Sequence, residues 1–169
     1  MKRLHASLIC LALSFAPSLG ADAAVPVGGT LPNQPMQGLT GPSSFISDYR
    51  GKPLIINVWA SYCSPCLAEM GSLERLWQRH GEQFNVIGIS IDDYRERASE
   101  FLAKTDTSFP HYIDSGLKLE QMLGANTIPL TVLVDSKGQV LEKVRGAQQW
   151  DSDEIVALIG QVYGMQLGL

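Results

Sequence analysis

The stretch from Leu54 to Ile91 limits the fold more than any other part of the chain. Leu54-Ile55-Ile56-Asn57-Val58-Trp59-Ala60 is almost continuously apolar and β-branched, the pattern of a strand covered on both faces, as in the middle of a parallel sheet. From Pro65 the period changes. Leu67, Met70, Leu73, Leu76 and Trp77 fall on one face of a helix that ends near His80-Gly81,. Phe84 to Ile91 then reads as a second buried strand. The result is one βαβ unit, with Cys63 and Cys66 where its first strand turns into its helix.

The rest of the chain can be placed around that unit. Residues 24–43 hold Pro26, Pro32, Pro35 and Pro42 without sustained periodicity, which predicts an exposed lead-in with at most a short hairpin. One helical turn is expected at Ser44 to Tyr49. A polar helix is expected around Tyr94 to Lys104, an extended piece at His111 to Asp114, and a short helix at Leu117 to Leu123 before Gly124. Leu130 to Val134 and Val140 to Val144 are strands joined by Ser136-Lys137-Gly138, an antiparallel hairpin,. Asp151 with Glu154 three residues on resembles a capping box, opening a last helix with Ile155, Leu158, Ile159 and Val162 inward,. A βαβ unit followed by ββα, with no linker between, is a single α/β domain.

The N-terminus reads differently. Lys2 and Arg3 precede an apolar run from Leu8 to Leu19, and the small residues Ala21-Asp22-Ala23 follow. This is the layout of a secretory signal peptide over residues 1–23, or of a membrane anchor if it is not cleaved. Hydrophobic content of 45% with 18% charged residues excludes a disordered chain,. A formal net charge of -4 without any basic block leaves no footprint for nucleic acid.

Of the three cysteines, Cys10 belongs to the leader, so the exported chain keeps Cys63 and Cys66. Two cysteines three positions apart close a tiny loop and constrain little of the unfolded chain. A chemical role fits better than a structural one. Helix N-termini expose unpaired N–H groups and favour negative charge, and Pro65 suits a first-turn position that needs no N–H. Cys63 should therefore be the exposed, thiolate-forming sulfur. Lowering a thiol pKa from about 8.5 to about 7 takes roughly 2 kcal/mol, which a helix dipole with one hydrogen bond can supply. Cys66, one turn in and more buried, is placed to attack a mixed disulfide and release the product. A zinc site would need two more ligands, and only His80 and His111 remain in the exported chain,. Both are expected at the surface, so no metal site is expected.

Asn57-Val58-Trp59-Ala60-Ser61-Tyr62-Cys63-Ser64-Pro65-Cys66, Ile87-Gly88-Ile89-Ser90-Ile91-Asp92-Asp93, Thr127-Ile128-Pro129 and Val132-Leu133-Val134-Asp135 together resemble the exported TlpA/ResA/CcmG group of thioredoxin-like thiol–disulfide oxidoreductases. The resemblance covers about residues 30–165. It implies a thioredoxin-like α/β fold over residues 44–165: a central mixed β-sheet flanked by helices, with an N-terminal extension and a βαβ-type insertion. It also implies a redox-active Cys63–Cys66 disulfide that needs no further cofactor, and a cis peptide before Pro129, which would face the Cys pair. Ile128, Tyr62 and Pro65 would meet substrate, and Trp59 would flank the site. Cytosolic thioredoxins carry a buried Asp where this chain has Asn57. The exported branch often has an acid after the second strand, and of Asp92 and Asp93 the latter is the candidate chosen here.

The function implied is a periplasmic reductase of client-protein disulfides, as in cytochrome c maturation, recharged by a membrane thiol donor. The same chemistry run as an oxidase or isomerase differs only in redox poise, which Ser64-Pro65 does not fix. A copper-binding chaperone is the alternative from another class. It fits less well, because such carriers use a wider Cys spacing and a distant His. A peroxidase fits less well again, because Ala60-Ser61-Tyr62 departs from the Thr-x-x pattern before a peroxidatic Cys.

Overall fold

A computed structural model describes residues 23–168; the leader expected over residues 1–23 lies outside them except for Ala23. The elements run β1 (Pro35–Gly38), β2 (Ser44–Phe45), a 3-10 turn (Ile46–Tyr49), β3 (Leu54–Trp59), α1 (Ser64–His80), β4 (Asn85–Ser90), α2 (Arg95–Leu102), β5 (His111–Ile113), α3 (Lys118–Leu123), β6 (Leu130–Val134), β7 (Val140–Arg145) and α4 (Asp153–Tyr163). One sheet of seven strands has the order β2-β1-β5-β4-β3-β6-β7. The pairs β3–β4 and β4–β5 are parallel, while β3–β6 and β6–β7 are antiparallel. The sheet is therefore mixed, and β4-α2-β5 is a second parallel βαβ unit.

Every residue of β3 is buried, and alternation along it divides two cores. Ile55 and Trp59 face Met70, Leu73, Leu76, Phe101, Val156 and Ile159 on one side. Leu54, Ile56 and Val58 face Leu31, Met36, Leu119 and Leu123 on the other. Truncating a fully buried member such as Leu73 to Ala should cost about 2–5 kcal/mol. This frame positions the site. The register Val58↔Leu130 puts the start of β6, and hence Pro129, at the end of β3 where the cysteines follow. Tight packing behind the site demands glycine at Gly88. A Cβ there would overlap the His111 ring and come within 2.9 Å of Trp59 Nε1.

Four expectations need correction. Residues 24–43 are not an exposed lead-in: β1 pairs with β5 as well as with β2, and Leu31 and Met36 are buried. A four-residue strand of Pro-Met-Gln-Gly shows no periodicity because only two of its residues reach the core. Leu67 and Leu158 are 41% and 42% exposed, since each helix turns a narrower stripe inward than its leucines suggest; α4 buries Ile159 as expected, together with Val156 and Gly160, and packs Ile155 and Val162 partly buried against the core. The cap of α4 is Ser152, whose side chain accepts the Ile155 N–H, while Asp151 pairs with Arg75 at 2.6 Å. His80 and His111 are buried. His111 packs on Phe109 and edge-on to Trp59, shares a 3.0 Å hydrogen bond with Thr107, and is held neutral by burial, its pKa pushed down to about 3.

Candidate active site

Two apolar strands deliver the cysteines, and a helix start receives them. After Trp59 the chain makes a turn closed by Cys63 N–H donating to the Ala60 carbonyl at 3.1 Å. Cys63 is the N-cap of α1, and Pro65 stands in the first turn, where no N–H is missed,. Cys63 and Cys66 are joined as a disulfide with their Cα atoms 5.3 Å apart. The Cys66 N–H donates to Cys63 Sγ at 3.2 Å, so the helix start already supplies a donor to this sulfur. Cys66 is fully buried, whereas Cys63 retains 7% exposure between the exposed Tyr62 and Pro65.

The other expected site residues divide into three groups. Ile128–Pro129 is a cis peptide at the head of β6, with Pro129 buried and Ile128 half-buried. Among the described residues no backbone hydrogen bond engages Ile128. Trp59 is fully buried and stacks on Phe101 at 4.6 Å; it is a packing residue beneath the site and not part of its rim. Asp93, the acid expected to support the site, is exposed. Asp92 is the inward residue of that pair, 2% exposed, because the side chain that follows Ser90 and Ile91 at the end of β4 turns back under the Ala60–Cys63 turn. Its carboxylate accepts from Ser61 N at 2.9 Å and from Ser61 Oγ at 2.6 Å.

Sequence reasoning missed Glu69. It lies one turn beyond Cys66 on the same face of α1 and is 1% exposed. Oε1 accepts from Asn57 Nδ2 at 2.7 Å, and Oε2 accepts from Gln148 N at 3.0 Å and Trp150 Nε1 at 2.9 Å. Burial pushes its carboxyl above the ordinary range, against those three hydrogen bonds. Asn57, at the position where the resemblance places an acid in cytosolic thioredoxins, here donates to a carboxyl group on the facing helix. The signal available was an acid at i+3 from Cys66 on the apolar stripe, with Asn57 opposite.

The Redoxin family model matches residues 26–159. The chain belongs to the Redoxin family. Within it, the thiol-disulfide oxidoreductase ResA of Bacillus thuringiensis subsp. konkukian is 26% identical over 145 residues, covering 83% of this chain and 84% of that protein. ResA of Geobacillus thermodenitrificans is 28% identical over 133 residues, covering 78% and 76%. The crystal structure of a DsbE-type thiol:disulfide interchange protein from Chlorobium tepidum superposes with a TM-score of 0.75 at 24% identity, covering 82% of this chain and 99% of that one; at that identity it speaks for the fold. This Redoxin-family chain is thioredoxin-like, of the TlpA/ResA/CcmG type, and is a thiol–disulfide oxidoreductase carrying a Cys-x-x-Cys disulfide. Its substrates are thiol- or disulfide-bearing proteins. Among the described residues no helix is long and apolar enough to cross a membrane.

Proposed function

We propose that the chain works in the periplasm as a reductase of disulfides in client proteins, unfolded c-type cytochrome precursors among them. The observation that carries the order of events is the asymmetry of the pair: Cys63 keeps some exposure and accepts a helix N–H, while Cys66 is buried. In the dithiol form, Cys63 thiolate attacks one client sulfur, forming a mixed disulfide and expelling the other client sulfur as thiolate. Cys66, deprotonated, then attacks Cys63 Sγ, which re-forms the internal disulfide and frees the second client thiolate. The client gains two electrons and the protein loses two. Glu69, one turn from Cys66 and raised in pKa by burial, suits the task of accepting the Cys66 proton. The free Ile128 backbone and the exposed Tyr62 and Pro65 suit an extended client segment laid beside Cys63. A membrane thiol donor would return the pair to dithiol.

The test has two parts. Cys66→Ser should stall the reaction after its first step, and mass spectrometry of adducts from periplasmic extract should recover clients joined through Cys63. Equilibration with glutathione should give a potential well below about −120 mV, the value of a strong oxidant. A value at that level would overturn the reductase direction and favour an oxidase.

A further inference from the structure

We propose that Asp92 is a positioning residue for the reaction at Cys63. Its carboxylate fastens the Ala60–Cys63 turn to the end of the sheet and so keeps the attacking sulfur at the start of α1 after the disulfide opens. This rests on the assignment of Cys63 as the attacking sulfur.

The geometry is that of a sheet rung completed by a side chain. Along β3 and β4 the last backbone rung is Ile91 N–H to the Trp59 carbonyl, at 2.9 Å. In a parallel ladder the next rung would bring the Ser61 N–H to a β4-side carbonyl. Instead Asp92 Oδ2 takes that N–H, and Oδ1 takes the Ser61 hydroxyl. The carboxylate is itself fixed: Ser90 Oγ donates to Oδ2 at 2.7 Å, and the Asp92 N–H donates to Ser90 Oγ at 3.1 Å. Both donors of Ser61 are therefore consumed two residues before Cys63. The backbone leaves the sheet there with Tyr62 turned outward, 71% exposed. While the disulfide is closed, the covalent ring also holds Cys63. Once it is reduced, Cys63 keeps its N–H bond to Ala60, the Leu67 N–H on its carbonyl and the Cys66 N–H on its sulfur, and the Asp92 clasp ties the preceding turn to the sheet.

A clasp and a bare charge make opposite demands on the same sulfur. A carboxylate acting only through its charge would discourage a nearby thiolate, so removing it would make Cys63 more reactive. A carboxylate acting as a clasp makes Cys63 less reactive when lost, because the sulfur strays from the helix N–H groups that favour its anion. Asn separates the two. Its amide oxygen can accept the Ser61 N–H while its amide nitrogen donates to Ser61 Oγ, which keeps the clasp without the charge.

The experiment uses the whole reduced protein, with iodoacetamide alkylation at pH 7 mapped to each cysteine by mass spectrometry and the glutathione equilibrium measured alongside. Asp92→Ala should slow alkylation of Cys63 about three- to tenfold and move the equilibrium toward the disulfide by a similar factor. A merely structural contact, weakening both redox states alike, would leave that equilibrium in place. Asp92→Asn should stay within about twofold of the parent. Ser61→Ala, which keeps the N–H bond, should fall between, and Ser61→Thr should match the parent. The Asp92→Ala/Ser61→Ala double variant should be no slower than Asp92→Ala alone. Unchanged or faster alkylation in Asp92→Ala overturns the proposal, as does an Asp92→Asn variant as slow as Asp92→Ala. Should Asp92→Ala not fold, equal rates in Ser61→Ala and Ser61→Thr overturn it. Preferential alkylation of Cys66 in the parent overturns the assignment of the attacking sulfur itself, an outcome read separately from any effect of Asp92.

Discussion

The two ends of the disulfide are built differently. Around Cys63 the chain is open: a four-residue turn, an N-cap, exposed Tyr62 and Pro65, and a single clasp that ties Ser61 to Asp92 at the end of β4. Around Cys66 it is long-range and closed. Glu69 joins α1 to β3 through Asn57 and to the β7–α4 loop through Gln148 and Trp150, and Ser72 reinforces that loop by accepting the Trp150 N–H at 3.1 Å. The comparison teaches that the partly exposed sulfur rests on one turn and one clasp, while the buried sulfur is embedded in several contacts that join distant parts of the fold.

Substituting the sulfurs tests this difference most severely. Cys63→Ser should abolish turnover in an insulin-disulfide reduction assay, whereas Cys66→Ser should keep the first attack and accumulate adducts. Equal losses without adducts would erase the distinction. Next comes Glu69→Ala, which strands the donors of Asn57, Gln148 and Trp150 in the interior. At about 1–3 kcal/mol for each unsatisfied group, urea unfolding should show a loss of about 3 kcal/mol or more. Glu69→Gln should lose less than about 1.5 kcal/mol, because Asn57, whose Oδ1 has no partner, can turn its amide to accept from the new Gln. The same variant should nonetheless lose the pH dependence of the second step in stopped-flow traces.

Acid should act on two buried groups, His111 and Glu69, in opposite senses. Beside Trp59, His111 has its pKa lowered from 6.5 to about 3 by burial. The folded state therefore resists its protonation, and stability falls as pH drops from about 6.5 toward 3, by up to about 1.4 kcal/mol per unit. Glu69 is shifted up, so its buried charge penalises folding above its folded pKa, and that penalty lifts as pH falls toward 4.5. Urea titrations between pH 4 and 7 should flatten for His111→Gln and steepen for Glu69→Gln. The smallest effect is expected from Tyr62→Ala. It should raise KM for a protein client a fewfold with kcat nearly unchanged, since Tyr62 is exposed and holds nothing in place.

The sequence made the frame legible where the physics is local. The apolar run of β3, the period of α1 and the Ser136-Lys137-Gly138 turn each declare themselves within a few residues, and the Cys pair follows from where they meet. Burial of polar groups did not show, because it depends on partners far away in the chain. Glu69 lies on α1 like any solvated acid until Asn57, Gln148 and Trp150 converge on it. His111 sits after a proline like a loop residue until Gly88 makes room for its ring. Asp92 and Asp93 are indistinguishable as letters, and the direction of the chain leaving β4 decides which one turns inward. β1 was hidden for a related reason, since a four-residue strand joins the sheet through β5, which comes much later in the sequence.

The hydrogen bond from Trp150 to Glu69 has a practical consequence. An indole whose N–H points at a carboxyl group feels a different electric field when that group gains or loses a proton, and its emission colour shifts accordingly. With Trp59 and Trp77 replaced by Phe, the emission of Trp150 would then report on the acid one turn from Cys66 without any added label.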